Sequence, residues 1–112
     1  MSPGVENVGD IAIVAIPGKS LDSASSRGFK EQIAPVVAAH PKLIFDLSQL
    51  TFVDSSGLGA ILSSLRQANA AGGDLKLCGL SKPVRALFEL VRMHRIFDIL
   101  NTREEAIRAF GG

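Results

Sequence analysis

The chain of 112 residues has no tryptophan and no tyrosine, only six phenylalanines, a single cysteine and two histidines. Without aromatic platforms, and with a formal charge of just +1, it lacks both the stacking surfaces and the basic excess of a nucleic-acid binder. One thiol forms no internal disulfide, and Cys78 sits within Leu75-Lys-Leu-Cys, a strand-like run, so it reads as a buried, inert side chain. The longest apolar run, from Ile11 to Pro17, is far below the roughly 18 residues of a membrane-spanning helix. The start, Met1-Ser-Pro-Gly-Val-Glu-Asn, has neither the basic nor the apolar part of a secretion signal. Composition therefore predicts a cytoplasmic protein without membrane insertion. His40 and His94 have no second ligand at metal-binding spacing and each follows a helical segment, where an imidazole satisfies terminal carbonyls; no metal and no cofactor is expected.

What is present is apolar material for one core. Hydrophobic residues make up 46% of the sequence, and a chain of this length predicts one domain over residues 1–112. Residues 10–16 form a β-branched run without polar alternation, the pattern of a strand covered on both faces, and Val5 to Val8 suit a short edge partner. Phe29, Ile33, Val36 and Val37 are spaced for a helix over about 24–39, with a kink or break expected at Pro35 and an end at Pro41. A second strand over 43–47 leads through residues 48–53 into a helix over about 56–71, whose apolar stripe is Leu58, Ile61, Leu62 and Leu65. Gly72-Gly73 stops that helix.

Residues 74–78 read as a third strand, and 81–93 as a helix with Ser81 as N-cap and Pro83 in its first turn. A strand over 95–100 and a last helix follow, the helix opened by the Thr102-Arg-Glu-Glu105 capping box and running through Phe110. Strands alternating with helices predict an α/β fold: right-handed βαβ units, a mostly parallel sheet and about four helices.

Several catalytic patterns fail on inspection. Gly18-Lys19-Ser20 resembles the tail of a phosphate-binding loop, but Ile13 occupies the position of its first glycine. Gly57-Leu-Gly59 starts a dinucleotide fingerprint whose third glycine falls on Leu62. A nucleophile elbow centred on Ser55 needs glycine at Val53 as well as at Gly57, and no base accompanies it, so a serine hydrolase is disfavoured.

The stretch that remains is Asp54-Ser55-Ser56-Gly57, a polar turn between a strand and a helix. Asp54, Ser55 and Ser56 are all N-cap candidates, because their side-chain oxygens accept hydrogen bonds from first-turn amides. A serine there is also placed to gain or lose a phosphate at the positive end of a helix.

Taken with Asp46-Leu47, Phe52-Val53 and Leu58-Gly59, this stretch resembles the signature of the STAS family, in particular the bacterial anti-sigma-factor antagonists. Pro17-Gly18 with Leu21-Asp22, the Gly72-Gly73 break and Ser81-Lys-Pro-Val-Arg-Ala-Leu-Phe extend the likeness over nearly the whole chain, although the segment before Asp22 is a residue longer than the common form. The resemblance implies a small α/β domain with an antiparallel N-terminal edge strand and no catalysis of its own.

It also implies a function. The unphosphorylated protein binds an anti-sigma factor, a serine kinase of the histidine-kinase-like ATPase fold, and so frees a sigma factor. The kinase phosphorylates the serine after the Asp, and a PP2C-type phosphatase reverses this. By position that serine is Ser55; Ser56 is its capping neighbour, Asp22 an acidic residue near the partner surface, and Asp54 and Gly57 complete that surface. Phe52, Val53 and Leu58 are expected to pack rather than to contact a partner. The alternative within the family is an accessory subunit of a lipid-transport ABC system or a stress-signalling scaffold.

Overall fold

The computed structural model describes residues 3–111. Five strands form the main sheet: β1 (Gly4–Val8), β2 (Ile11–Ala15), β4 (Lys42–Asp46), β6 (Asp74–Cys78) and β7 (Ile99–Leu100), in the spatial order β1-β2-β4-β6-β7. β1 pairs antiparallel with β2, and all other neighbours are parallel. Two short strands, β3 (Ser20–Leu21) and β5 (Phe52–Val53), form a separate parallel pair. The helices are α1 (Ser26–Ala39), α2 (Ser55–Ala70), α3 (Lys82–Leu90) and α4 (Arg103–Ala109).

The absence of alternation in β2 and β4 follows from burial on both faces. Ala12, Val14, Leu43 and Phe45 point into a core shared with α1, α2 and α3, while Ile11, Ile13 and Ile44 meet Ala106 of α4 on the other side, together with Cys78. Phe29 of α1 stands edge-on to Phe45, with ring centroids 6.0 Å apart. Cys78 is buried, and that burial, reinforced by the nearby Asp46 carboxylate, pushes its thiol pKa up to about 11.

Four local expectations are corrected. α1 runs without a break through Pro35, because this residue lies on the exposed side and the carbonyl deprived of its partner, that of Glu31, belongs to an exposed residue. The buried stripe of α2 consists of Gly57, Ala60, Ile61, Ser64, Leu65 and Ala68, while Leu58 and Leu62 are only half-buried. Small residues there bring α2 close to the sheet. Ser81 does not cap α3 with its side chain; its hydroxyl donates to the Leu50 carbonyl at 2.8 Å and ties α3 to the loop before β5. α3 ends at Leu90, a 3₁₀ turn covers Met93–Arg95, and the last strand shrinks to two residues. The capping box of α4 is present, with Thr102 Oγ1 accepting from the Glu105 amide at 3.1 Å.

Two polar clusters bind the sheet to its margins. Lys76, in the middle of β6, is buried, with its Nζ 2.6 Å from Asp98, 3.2 Å from Asp74 and 4.7 Å from the Phe110 ring centre. Burial alone would lower its pKa, but the bonds to Asp98 and Asp74 outweigh it and the ammonium is held charged. Arg103, at the start of α4, reaches Asp46 at the end of β4 (2.7 Å) and Glu6 of β1 (2.9 Å). Asp46 also accepts from the Ser48 amide at 2.9 Å, so one carboxylate turns the chain out of β4 and anchors α4.

Burial would raise the Asp46 pKa; the bonds from Arg103 and Ser48 prevail and hold it below the usual carboxylate value. A lowered folded-state pKa adds stability above the unfolded value of about 3.9 that disappears as pH falls through the folded one. Asp46→Asn is therefore expected to cost about 1–2 kcal/mol at pH 7, with the gap to wild type closing below about pH 4. Urea unfolding of both proteins across that range measures it.

Candidate functional site

The polar turn lies where the small β3–β5 ladder meets the start of α2. Leu21 pairs with Val53, and one step further along each strand come Asp22 and Asp54, which therefore leave the ladder side by side although 32 positions separate them. The Lys19 carbonyl accepts from the amides of Thr51 (2.8 Å) and Phe52 (3.1 Å), and the Leu21 carbonyl from that of Asp54 (3.2 Å), which fixes the register.

Asp54 is the N-cap of α2. Its backbone is extended (φ −100°, ψ −172°), and its Oδ1 accepts from the Gly57 amide at 2.9 Å. The second carboxylate oxygen, Oδ2, accepts from the Ser23 amide at 3.0 Å. One side chain thus caps the helix and clamps the loop after β3 to it. Asp22 shapes that loop from within: its Oδ1 accepts from the amides of Ala24 (3.0 Å) and Ser25 (3.2 Å). Asp22 is half-buried and both its carboxylate and its amide serve this turn, the amide donating to Ser25 Oγ at 3.1 Å.

Gly57 is buried, and a side chain on it would collide with the Leu21 carbonyl and with Val53 Cγ1. Its hydrogen atom in place of Cβ is what lets the first turn of α2 rest on β3. Gly57 therefore shapes the surface from beneath and presents none of its own.

Ser55 and Ser56 are the first two residues of α2 and both are exposed. Asp54 takes the capping role that the sequence assigned to Ser56, because it alone holds the extended backbone just outside the helix. Among the described residues, the hydrogen bonds of the turn run to the two aspartates and none to either serine hydroxyl. First-turn amides have no carbonyl ahead of them in the helix, so Ser55 Oγ sits at the positive end of a helix of 16 residues.

Phe52 departs from its expected packing role. Val53 points inward while Phe52, its neighbour on β5, is 53% exposed and adds an apolar element beside the serines. The alternation of a two-residue strand was too short to reveal this.

Among the described residues neither the Ser55 nor the Ser56 hydroxyl is hydrogen-bonded to a histidine or a carboxylate. His40 Nδ1 lies 2.9 Å from the Val36 carbonyl at the end of α1, in the helix-terminal role the sequence suggested, and His94 is exposed in the 3₁₀ turn. Among the described residues no three His, Cys, Asp or Glu side chains gather as metal ligands would, and no helix is long and apolar enough to cross a membrane. What the arrangement offers is an exposed alcohol on a rigid, doubly clamped helix start.

Comparison with known proteins places this geometry. The family model described as STAS domain matches residues 2–106. A putative anti-sigma factor antagonist, BtrV of Bordetella bronchiseptica, is 32% identical over 91 residues, covering 80% of this chain and 78% of the relative. The crystal structure of a putative anti-sigma factor antagonist from Thermotoga maritima superposes with a TM-score of 0.87 at 26% identity, over 96% of this chain and 92% of that one. The anti-sigma factor antagonist SpoIIAA of Bacillus is similar in its unphosphorylated form, with a TM-score of 0.78 at 26% identity over 99% of this chain and 98% of that one. Its phosphorylated form gives 0.71 at 25% identity, over 97% and 99%.

Two substitutions test the clamp. Asp54→Ala should cost about 1–2 kcal/mol, since it removes the cap and releases Ser23. Gly57→Ala should cost about 1–3 kcal/mol by forcing α2 off β3. Both are read by thermal unfolding, and loss of protection of the Gly57 amide to hydrogen exchange in Asp54→Ala locates the effect.

Proposed function

The chain belongs to the STAS domain family, and from that premise we propose that it is an anti-sigma factor antagonist: a binding module whose unphosphorylated surface takes up a serine-kinase anti-sigma factor and so releases a sigma factor. Phosphorylation of Ser55 ends the interaction. The observation that carries this reading is the exposed Ser55 hydroxyl, one residue beyond the Asp54 cap, at the start of α2. The relatives named as antagonists, and a similar protein known in unphosphorylated and phosphorylated forms, support it.

The covalent step belongs to the partner. Ser55 Oγ attacks the γ-phosphorus of ATP held by the kinase; the new Oγ–P bond forms as the bond to ADP breaks, and the hydroxyl proton passes to a base of the kinase. A PP2C-type phosphatase reverses the modification by hydrolysis, returning the hydroxyl and releasing inorganic phosphate. Asp22, Asp54, Ser55 and Ser56 form the partner-facing rim, with Gly57 beneath it.

The energetics favour a local block over a change of fold. A phosphate adds about −1.5 to −2 charges beside Asp54, in a patch the partner must cover. Burying an unpaired charge costs several kcal/mol, and each 1.4 kcal/mol is about tenfold in affinity. Within the domain the phosphate meets the open amides of α2, which favours it by about 0.3–1 kcal/mol. The modified protein therefore keeps its fold while its partner leaves.

Incubation with ATP and a candidate anti-sigma kinase, followed by intact-mass analysis, should add one phosphate to the wild type and none to Ser55→Ala. Ser55→Ala should keep its affinity for the kinase, whereas Ser55→Asp should bind at least about tenfold more weakly. Full affinity in Ser55→Asp would falsify the electrostatic block, and phosphate on Ser56 would move the switch by one residue.

A further inference from the structure

A cavity of about 280 Å³ lies between the first half of α1 and the connection from β2 to β3. One wall is a single helix face, on which Ser25, Gly28, Phe29 and Gln32 recur at steps of three and four. Ile16, Pro17 and Leu21 stand opposite. Ile16, Leu21 and Phe29 belong to the core, so the floor is apolar and fixed, while Gly28 and Gln32 are exposed and mark the mouth.

Gly28 keeps the space open. An exposed glycine inside a helix of 14 residues weakens that helix relative to alanine. At Gly57 the backbone of Leu21 forbids a side chain, but around Gly28 nothing lies within 4 Å of where a Cβ would stand. The fold thus gives no steric reason for glycine at this position, whereas a long side chain here would reach into the cavity.

The lining selects a guest by charge and by size. It includes no Lys, Arg, His, Asp or Glu, so a charged molecule would lose its water without gaining a partner. Among the described residues the hydrogen bonds of this turn run through Ser25 and the Ser20 carbonyl, which leaves the Ser20 hydroxyl and the Gln32 carboxamide free to meet a polar group. An apolar cavity of roughly 150 Å³ takes benzene, so nearly twice that volume takes a molecule of two fused rings.

We propose that this cavity binds a small neutral molecule of two-ring size, apolar over most of its surface and carrying one hydroxyl or amide, and that its occupation braces the loop before α1. The rings lie on Ile16, Leu21 and Phe29, and the polar group meets Gln32 or Ser20. The link to the loop is short. Ser25 Oγ is bonded to Asp22 Oδ1 at 3.2 Å, and the Leu21 carbonyl accepts from the Asp54 amide, while Asp54 in turn holds the Ser23 amide. A guest packed on Ser20, Leu21 and Ser25 therefore restrains both sides of Asp22.

The test is a titration of the full ¹⁵N-labelled chain with 2-naphthol, with naphthalene-2-sulfonate as the charged control. Saturable amide shifts are expected at Gly18, Ser20 and Gly28, with a Kd of about 0.1–1 mM, the range open to so small a ligand. The sulfonate should bind at least about tenfold more weakly. Gly28→Leu should weaken 2-naphthol at least about tenfold by filling the cavity, without lowering Tm, since the position is exposed and has room. Gln32→Ala, which leaves the apolar floor intact, should weaken it about threefold. At saturation the Ser23 amide should exchange with solvent at least about twofold more slowly.

Neither readout depends on a partner protein. Shifts that do not saturate, or that gather on exposed Val5, Phe52 and Leu90 instead, are ordinary apolar adsorption and overturn the site. Wild-type affinity in both Gly28→Leu and Gln32→Ala, or equal affinity for the sulfonate, overturns it as well. Saturable binding with unchanged Ser23 exchange overturns the bracing.

Discussion

Everything at the candidate site depends on one carboxylate that is used twice. Asp54 accepts from Gly57 within its own helix and from Ser23 across a gap of 31 residues, so helix start and neighbouring loop move together or not at all. Gly57 makes this possible by letting the first turn of α2 lie on the backbone of Leu21. Neither interaction is strong: a cap is worth about 1 kcal/mol. Their value is geometric, because they converge on the residue before Ser55 and leave its hydroxyl, like that of Ser56, exposed and unclamped.

The same economy appears at the sheet margins. Asp46 and Lys76 are charges in places where an isolated charge would be costly, and each is surrounded by enough partners to stay ionised. Asp46 closes β4 and holds Arg103; Lys76 draws Asp98 in beside the last strand and lies against Phe110. In the Lys76 cluster the cation is buried while its carboxylates are exposed, so loss of Asp98 leaves the ammonium with Asp74 alone, whereas the carboxylates lose little when Lys76 is removed. The two clusters fix where α4 and the last strand sit.

How far all this was legible follows from the range of each interaction. The doubly buried strands, the Gly72-Gly73 stop and the Thr102–Glu105 box are written in residues a few positions apart, and each appears as read. The family pattern added Ser55 and Asp22, which spacing alone could not single out, and the β3–β5 register brings Asp22 beside Asp54. What escaped was set at long range or by backbone angle. Arg103 meets partners 57 and 97 residues away. Asp54, Ser55 and Ser56 are equal as cap residues until the extended backbone of Asp54 decides among them. At Pro35 a kink or a break is expected, yet the helix runs on through it, with Pro35 and Glu31, the residue whose carbonyl loses its partner, both exposed; Phe52 is expected inside because its strand is too short to show which side is out.

These corrections bear on how a switch of this kind works. If Ser56 had been the cap, a phosphate on Ser55 would compete with its neighbour for the open amides, and modification would disturb the helix start. With the cap on Asp54, which already holds the Gly57 amide, the amides of Ser55 and Ser56 stay open to a phosphate while the clamp to Ser23 remains in place. On the proposed reading, modification would change the charge and bulk of the surface and little beneath it. The free energy of phosphorylating Ser55 would then be felt almost wholly in the complex, because the isolated domain would gain slightly from the phosphate while the partner would meet two like charges side by side.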